Sequence, residues 1–236
     1  MSISALHPAW VLHCFPYKES SVIADILTAD AGRVSLIAHN IKKQNKKKFS
    51  GTTLQLFQRF QISWRGNGNL KTLTNIEADK SLRLQGRHLF CGLYANELLV
   101  RLLKHHLPSQ EIFRIYEWLI IALSKKVTPE SCLRLFEKGL LDQLGYGLPL
   151  QFEAETLIPL QPNQHYTYNP LNGFSRKTEH DDLVDFPGWL LLNYAKNQIS
   201  EEMLPLLKQL NRMALKCLLG NEPLKSRSLF KTINQK

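Results

Sequence analysis

The sequence predicts a small closed β-barrel followed by a mainly helical body: an α+β chain in two domains, residues 1–80 and 81–236. Three observations carry this. Residues 9–76 fall into short apolar runs with period-two alternation, punctuated by glycine and proline. From Gly86 the apolar period changes to the i, i+3, i+4 spacing of amphipathic helices. Residues 148–182 break that helical pattern with turn signals at Pro159, Pro162, Asn169-Pro170 and Asn172-Gly173, leaving short strand-like pieces around Tyr166 and Phe174.

Each element has its own signal. Ala9–Phe15 is rich in strand formers and Pro16 reads as its stop. Val22–Thr28 follows and ends at the turn Asp30-Ala31-Gly32. Arg33–Ala38 alternates, with Val34, Leu36 and Ala38 on one face. Thr53–Trp64 alternates again through Leu54, Leu56, Phe60, Ile62 and Trp64. Gly66-Asn67-Gly68-Asn69 then turns into Leu70–Thr74. Five short strands in so few residues suit a closed barrel, with the OB-fold as leading candidate.

The first helix shows in Leu89, Phe90, Leu93, Tyr94, Glu97, Leu98, Arg101 and Leu102, and ends before Pro108. A second spans Gln110–Lys125. A third spans Pro129–Leu144, with proline at its first position and Gly145 as a left-handed C-cap. Helical spacing resumes over Leu183–Lys196 and Glu201–Leu219, and a terminal helix is expected around Pro223–Lys231, packing Leu224, Leu229 and Phe230.

Charge gives the strongest functional signal. The net charge is +10 and the pI about 9.5, with an uneven distribution. Residues 1–80 carry 11 Lys and Arg against 5 Asp and Glu, residues 205–236 carry 7 against 1, and the middle carries 12 against 14. Two basic ends around a mildly acidic middle point to polyanions, nucleic acid first and anionic membrane second. Five lysines (Lys42, Lys43, Lys46, Lys47, Lys48) occupy seven positions within His39–Gly51, between two predicted strands. A solvated loop kept soluble by charge would look the same. The nucleic-acid reading gains from Arg33, Arg59, Arg65 and Lys71 on neighbouring strands, and from the interleaved aromatics Phe57, Phe60 and Trp64. Alternation sends at least one of these rings into the core, and Trp64, beside Gly66, is the one expected partly exposed. Lys225 and Arg227 offer a second cationic surface near the C-terminus.

Other classes find little support. Cys14, Cys91, Cys132 and Cys217 are far apart, with neither a disulfide framework nor zinc spacing. No basic-then-apolar leader and no apolar run of membrane-spanning length is present, so the expected setting is reducing cytoplasm. Glu179, His180, Asp181, Asp182 and Asp185 could hold a metal ion, but they lead into a helix, whose N-terminus favours carboxylates. His105 and His106 are adjacent, about 100° apart on a helix, and grip one ion poorly. Walker, G-x-S-x-G and H-E-x-x-H motifs are missing, so catalysis is not expected.

Several blocks, in one order along nearly the whole chain, resemble the bacterial recombination mediator RecO family. They are Val11-Leu12-His13 through Pro16-Tyr17-Lys18-Glu19-Ser20-Ser21, then Gly32-Arg33-Val34 and Leu70-Lys71-Thr72-Leu73. Gly92-Leu93-Tyr94-Ala95-Asn96-Glu97-Leu98-Leu99, Leu133-Arg134-Leu135-Phe136-Glu137 and Leu144-Gly145-Tyr146-Gly147 continue the series. Arg212-Met213-Ala214-Leu215-Lys216 and Leu219-Gly220-Asn221-Glu222-Pro223-Leu224-Lys225-Ser226-Arg227 end it.

The resemblance implies an OB-fold, a helical domain and a non-enzymatic role in DNA repair. That role comprises binding single- and double-stranded DNA, annealing complementary strands and engaging the C-terminal tail of the single-stranded DNA-binding protein (SSB). With RecR, such proteins load RecA, and a nucleoid-associated cytoplasmic location would follow. Many relatives carry four cysteines as a zinc site in the central insertion. Residues 148–182 have none, which places the chain with zinc-less proteobacterial members and implies no cofactor. The family's SSB contact lies on the helical domain, where Arg134, Lys138 and the i, i+4 pair Arg212 and Lys216 could meet the tail's carboxylates. Two rivals stay open: an adaptor whose basic surfaces dock acidic peptides, and a metal-dependent nuclease using Asp181 or Asp182.

Overall fold

Alternation places every second residue of the first five strands in one apolar interior. The computed structural model describes residues 5–39, 54–178 and 182–233; Lys42, Lys43, Lys46, Lys47, Lys48, Glu179, His180 and Asp181 lie outside the described residues. Strands β1 (His7–Tyr17), β2 (Ser21–Thr28), β3 (Gly32–Ala38), β4 (Gln58–Arg65) and β5 (Leu70–Ser81) close in the order β1-β2-β3-β5-β4. The β3–β5 pair is parallel and the others antiparallel, which is the OB-fold arrangement. Ala9, Val11, Ala24, Ile26, Val34, Leu36, Phe60, Ile62, Leu73 and Ile76 fill the barrel. Leu73 and Ile76 are three apart yet both point inward, because the β4–β5 register slips between Ser63 and Trp64.

β1 also buries residues on its outer side. Trp10 and Leu12 are buried although Val11 between them is in the core, so both faces of this segment are covered. The cover is helical, from α1 (Gly86–Leu102) and α2 (Gln110–Ser124). Trp10 meets Tyr116 edge-on at 5.9 Å. Asn96 Nδ2 donates to the Leu12 carbonyl at 2.8 Å and accepts at Oδ1 from the Tyr116 hydroxyl at 2.7 Å. Polar groups are thus satisfied where the helices meet the strand.

The change from strand to helix therefore does not mark the compact units. One unit holds the chain up to Val127 together with the segment from Pro223; the other is Thr128–Glu222. The apolar outer face of β1 and β2 needs α1 and α2, which keeps them with the barrel. Helix α6 (Ser226–Ile233) belongs to the same unit and packs on α1, with Phe230 edge-on to Phe90 at 5.8 Å.

The second unit contains α3 (Pro129–Gln143), α4 (Gly188–Ala195), α5 (Leu204–Leu219) and a three-stranded antiparallel sheet. The sheet runs β7 (Gly173–Arg176), β6 (His165–Asn169), β8 (Phe186–Pro187), with Tyr166, Phe174 and Phe186 buried. Phe186-Pro187 pairs with β6, which delays α4 to Gly188 rather than the expected 183. Among the described residues, no helix is long and apolar enough to cross a membrane.

Candidate nucleic-acid interface

Strand register sorts the outward side chains of the barrel into rows, because residues directly opposite each other project to the same side. Trp10, Leu27 and Arg33 form a row on the helix-covered side. His13, Asp25, Ser35 and Leu70 form the next. Phe15, Ile23, Ile37, Thr72 and Arg65 form a third, beyond the helices. Tyr17 lies opposite Ser21, whose Oγ is 3.1 Å from His39 Nδ1, at the point where the chain enters the lysine-rich stretch.

These rows divide the basic residues expected to act together. Arg33 is turned to the helices. Its Nη2 donates to Asp25 Oδ2 at 2.9 Å, and its Nη1 donates to the carbonyls of Val100 and, at 3.2 Å, Leu103. A cation among the last carbonyls of α1 complements the negative end of that helix. Ser35 donates to the other Asp25 oxygen, completing the cluster. The expected place of Arg33 on an open cationic surface is thus corrected: its guanidinium is bound up in holding α1. Arg59 lies opposite Trp10, with Nη1 3.1 Å from Glu117 of α2 and Nε 3.4 Å from Asp79. Arg65 is exposed at the end of the open row, and Lys71 sits at the barrel rim with Nζ donating to the Gly66 carbonyl at 3.3 Å.

The aromatics divide in the same way. Phe57 and Phe60 are buried, while Trp64 is half-buried against the core and stacked on His7 at 4.5 Å. Phe15 and Tyr17, not singled out from sequence, are 40% and 38% exposed on the open side. Taking Pro16 as a stop hid them. β1 continues through it, and beyond Trp10 β1 pairs with β2 alone, where a missing N–H is tolerated.

In the second unit, Arg134 is only 6% exposed, so its expected position at the surface is corrected. Its Nη2 donates to Glu137 Oε1 at 2.8 Å, Asn211 Nδ2 donates to Glu137 Oε2 at 2.8 Å, and the Tyr194 hydroxyl donates to the Arg134 carbonyl at 2.6 Å. This network ties α3, α4 and α5 together. Burial drives the Tyr194 phenol far above its ordinary pKa, keeping it a neutral donor. Lys138 caps α4: Nζ donates to the carbonyls of Tyr194 and Ala195, each at 2.9 Å, and to Asn197 Oδ1 at 2.8 Å. Burial lowers its pKa, opposed by the nearby Asp142 carboxylate. Arg212 and Lys216 are exposed, one turn apart on α5. In the first unit Lys225 is exposed and Arg227 half-buried, where Glu97 of α1 accepts from the Lys225 and Ser226 amides, each at 2.8 Å.

Residues 1–82 match the model of the recombination protein O N-terminal region, and residues 83–228 match that of its C-terminal region. The chain belongs to the recombination protein O family. It is 42% identical over 232 residues to a DNA repair protein RecO of Coxiella burnetii, covering 96% of this chain and 97% of that one. A DNA repair protein RecO of Nitrosococcus oceani is 38% identical over 98% of this chain and 94% of its own. One of Vibrio cholerae is 36% identical over 96% and 93%. Among the described residues no group of three or more His, Cys, Asp or Glu could hold a metal ion. Residues 148–182 contain no cysteine.

Proposed function

We propose that this chain is a DNA repair and recombination mediator that binds single- and double-stranded DNA, anneals complementary strands and acts by positioning, without covalent chemistry. The observation that carries this reading is the family match along the chain, with homologues named for DNA repair. The open side of the barrel supports it: Arg65 ends the outward row, and the chain runs from His39 into five lysines within seven positions. Two single strands repel through their phosphates, and a cationic surface that grips one strand lowers that barrier. Lys225 and Arg227, in the segment held against α1, offer a second cationic surface.

We further place engagement of the acidic SSB tail on α5, through Arg212 and Lys216, with Arg134 and Lys138 holding the helices that present them. In this reading, joint action with RecR delivers RecA to SSB-coated strands. Replacing Lys42, Lys43, Lys46, Lys47 and Lys48 with alanine should abolish annealing and weaken single-strand binding at least tenfold, with tail-peptide binding retained. Arg212→Glu with Lys216→Glu should do the reverse. If the lysine variant anneals as well as the parent, the adaptor reading replaces this one.

A further inference from the structure

We infer that the open face of the barrel is a base-stacking platform for unpaired nucleotides, built on Phe15 and Tyr17. This rests on the proposed DNA binding and adds to it the form of nucleic acid preferred. Phosphate-gripping cations attract single strands and duplex alike. Exposed planar rings discriminate, because a base must be unpaired to lie on them.

Two rings on alternate positions of one strand point outward together and stay 40% and 38% exposed, whereas Trp10, Leu12 and Leu27 on the helix-covered side are buried. The row beside them is apolar: Ile23, half-buried, and Ile37, buried, continue it from Phe15 across β2 and β3. The rings are held in place. His13 packs against Phe15 with centroids 5.7 Å apart, and the Lys18 ammonium lies 5.5 Å from the Tyr17 ring centre. Pre-set rings lose little entropy when a base settles on them.

Charge selects the occupant. Lys18 lies against Tyr17 and Arg65 stands at the far end of the Phe15 row, on β4, with Glu19 the acid in the adjoining turn. A partner with flat apolar faces and regularly spaced negative charge is a single nucleic-acid strand. An apolar peptide would leave the cations unused, and a duplex would leave the rings unused.

The test compares three probes of equal length: a thymidine strand, an abasic strand with the same phosphates, and a blunt duplex. Affinities are measured for the full chain and for Phe15→Ala/Tyr17→Ala, with circular dichroism and melting confirming that the variant folds. The parent should bind the thymidine strand about tenfold or more tighter than the abasic one, within the range of base–aromatic stacking. The variant should lose that preference and keep its abasic and duplex affinities within about twofold. Phe15→Tyr/Tyr17→Phe, which retains the rings, should behave as the parent. Equal losses on all three probes, or no loss on any, overturn the platform while DNA binding stands. A parent that binds none of the probes overturns the proposed function itself.

Discussion

At the scale of single residues, the tightest constraint is Gly32. Its φ is +66°, and a Cβ there would lie 2.2 Å from the carbonyl oxygen of Leu107, backbone that cannot swing aside. Gly32→Ala should therefore lower stability by more than about 2 kcal/mol, read as a fall in Tm by calorimetry. The next residue, Arg33, shows why a cation's role is hard to read from a strand pattern. Its spacing marks it as outward, but whether outward means solvent or helix depends on what packs there. Arg134 is the same problem on a helix. Removing its side chain takes the guanidinium away from the buried Glu137 carboxylate, so Arg134→Ala should cost about 3–5 kcal/mol in urea unfolding. Lys216→Ala, exposed on α5, should stay within about 0.5 kcal/mol. Equal costs for the two would mean that the Arg134–Glu137–Asn211 network is not what joins these helices.

At the scale of elements, the Glu97 carboxylate holds the start of α6, alongside the packing of Phe230 on Phe90. Burial alone would raise the Glu97 pKa, but the Ser226 hydroxyl and amide, the Lys225 amide and nearby Arg101 outweigh it and hold it below the ordinary glutamate value. A depressed folded-state pKa gives stability that is present above the unfolded value and lost as pH falls through the folded one. Docking of α6 should hold at neutral pH and weaken as pH drops below the ordinary glutamate range, seen as faster amide exchange over Ser226–Ile233. Glu97→Gln should remove that pH dependence and lower stability by about 1 kcal/mol. The elements themselves were largely legible in the sequence. Val34, Leu36 and Ala38 announce β3 by alternation, Pro129 and Gly145 bracket α3, and Leu224, Leu229 and Phe230 mark the terminal helix. Two features were less legible. Trp10-Val11-Leu12 breaks alternation because both its faces are buried, which places α1 and α2 with the barrel; only the structure shows what covers it. Register fixes which outward residues share a row, and register depends on the slips at Val11/His13 and Ser63/Trp64, which alternation does not reveal.

At the scale of the whole molecule, the +10 charge has to act through released counterions if DNA is the partner. Affinity for a single strand then falls linearly with salt on logarithmic axes, with a slope of about −0.7 per phosphate neutralised. Replacing Lys42, Lys43, Lys46, Lys47 and Lys48 with alanine should flatten that slope by about 3 to 4 if each meets one phosphate. Phe15→Ala/Tyr17→Ala should shift the same line downward and leave its slope unchanged, because stacking releases no ions. The two surfaces thus separate by shape of response rather than by size of loss. Titrations of one fluorescent thymidine strand from about 50 to 200 mM salt, with parent and both variants, measure all three lines. An affinity of the parent that barely moves across this range would remove the electrostatic basis of strand binding. A lysine variant that only shifts the line would move the phosphate contacts to other cations, with Arg65, Lys225 and Arg227 the next to replace.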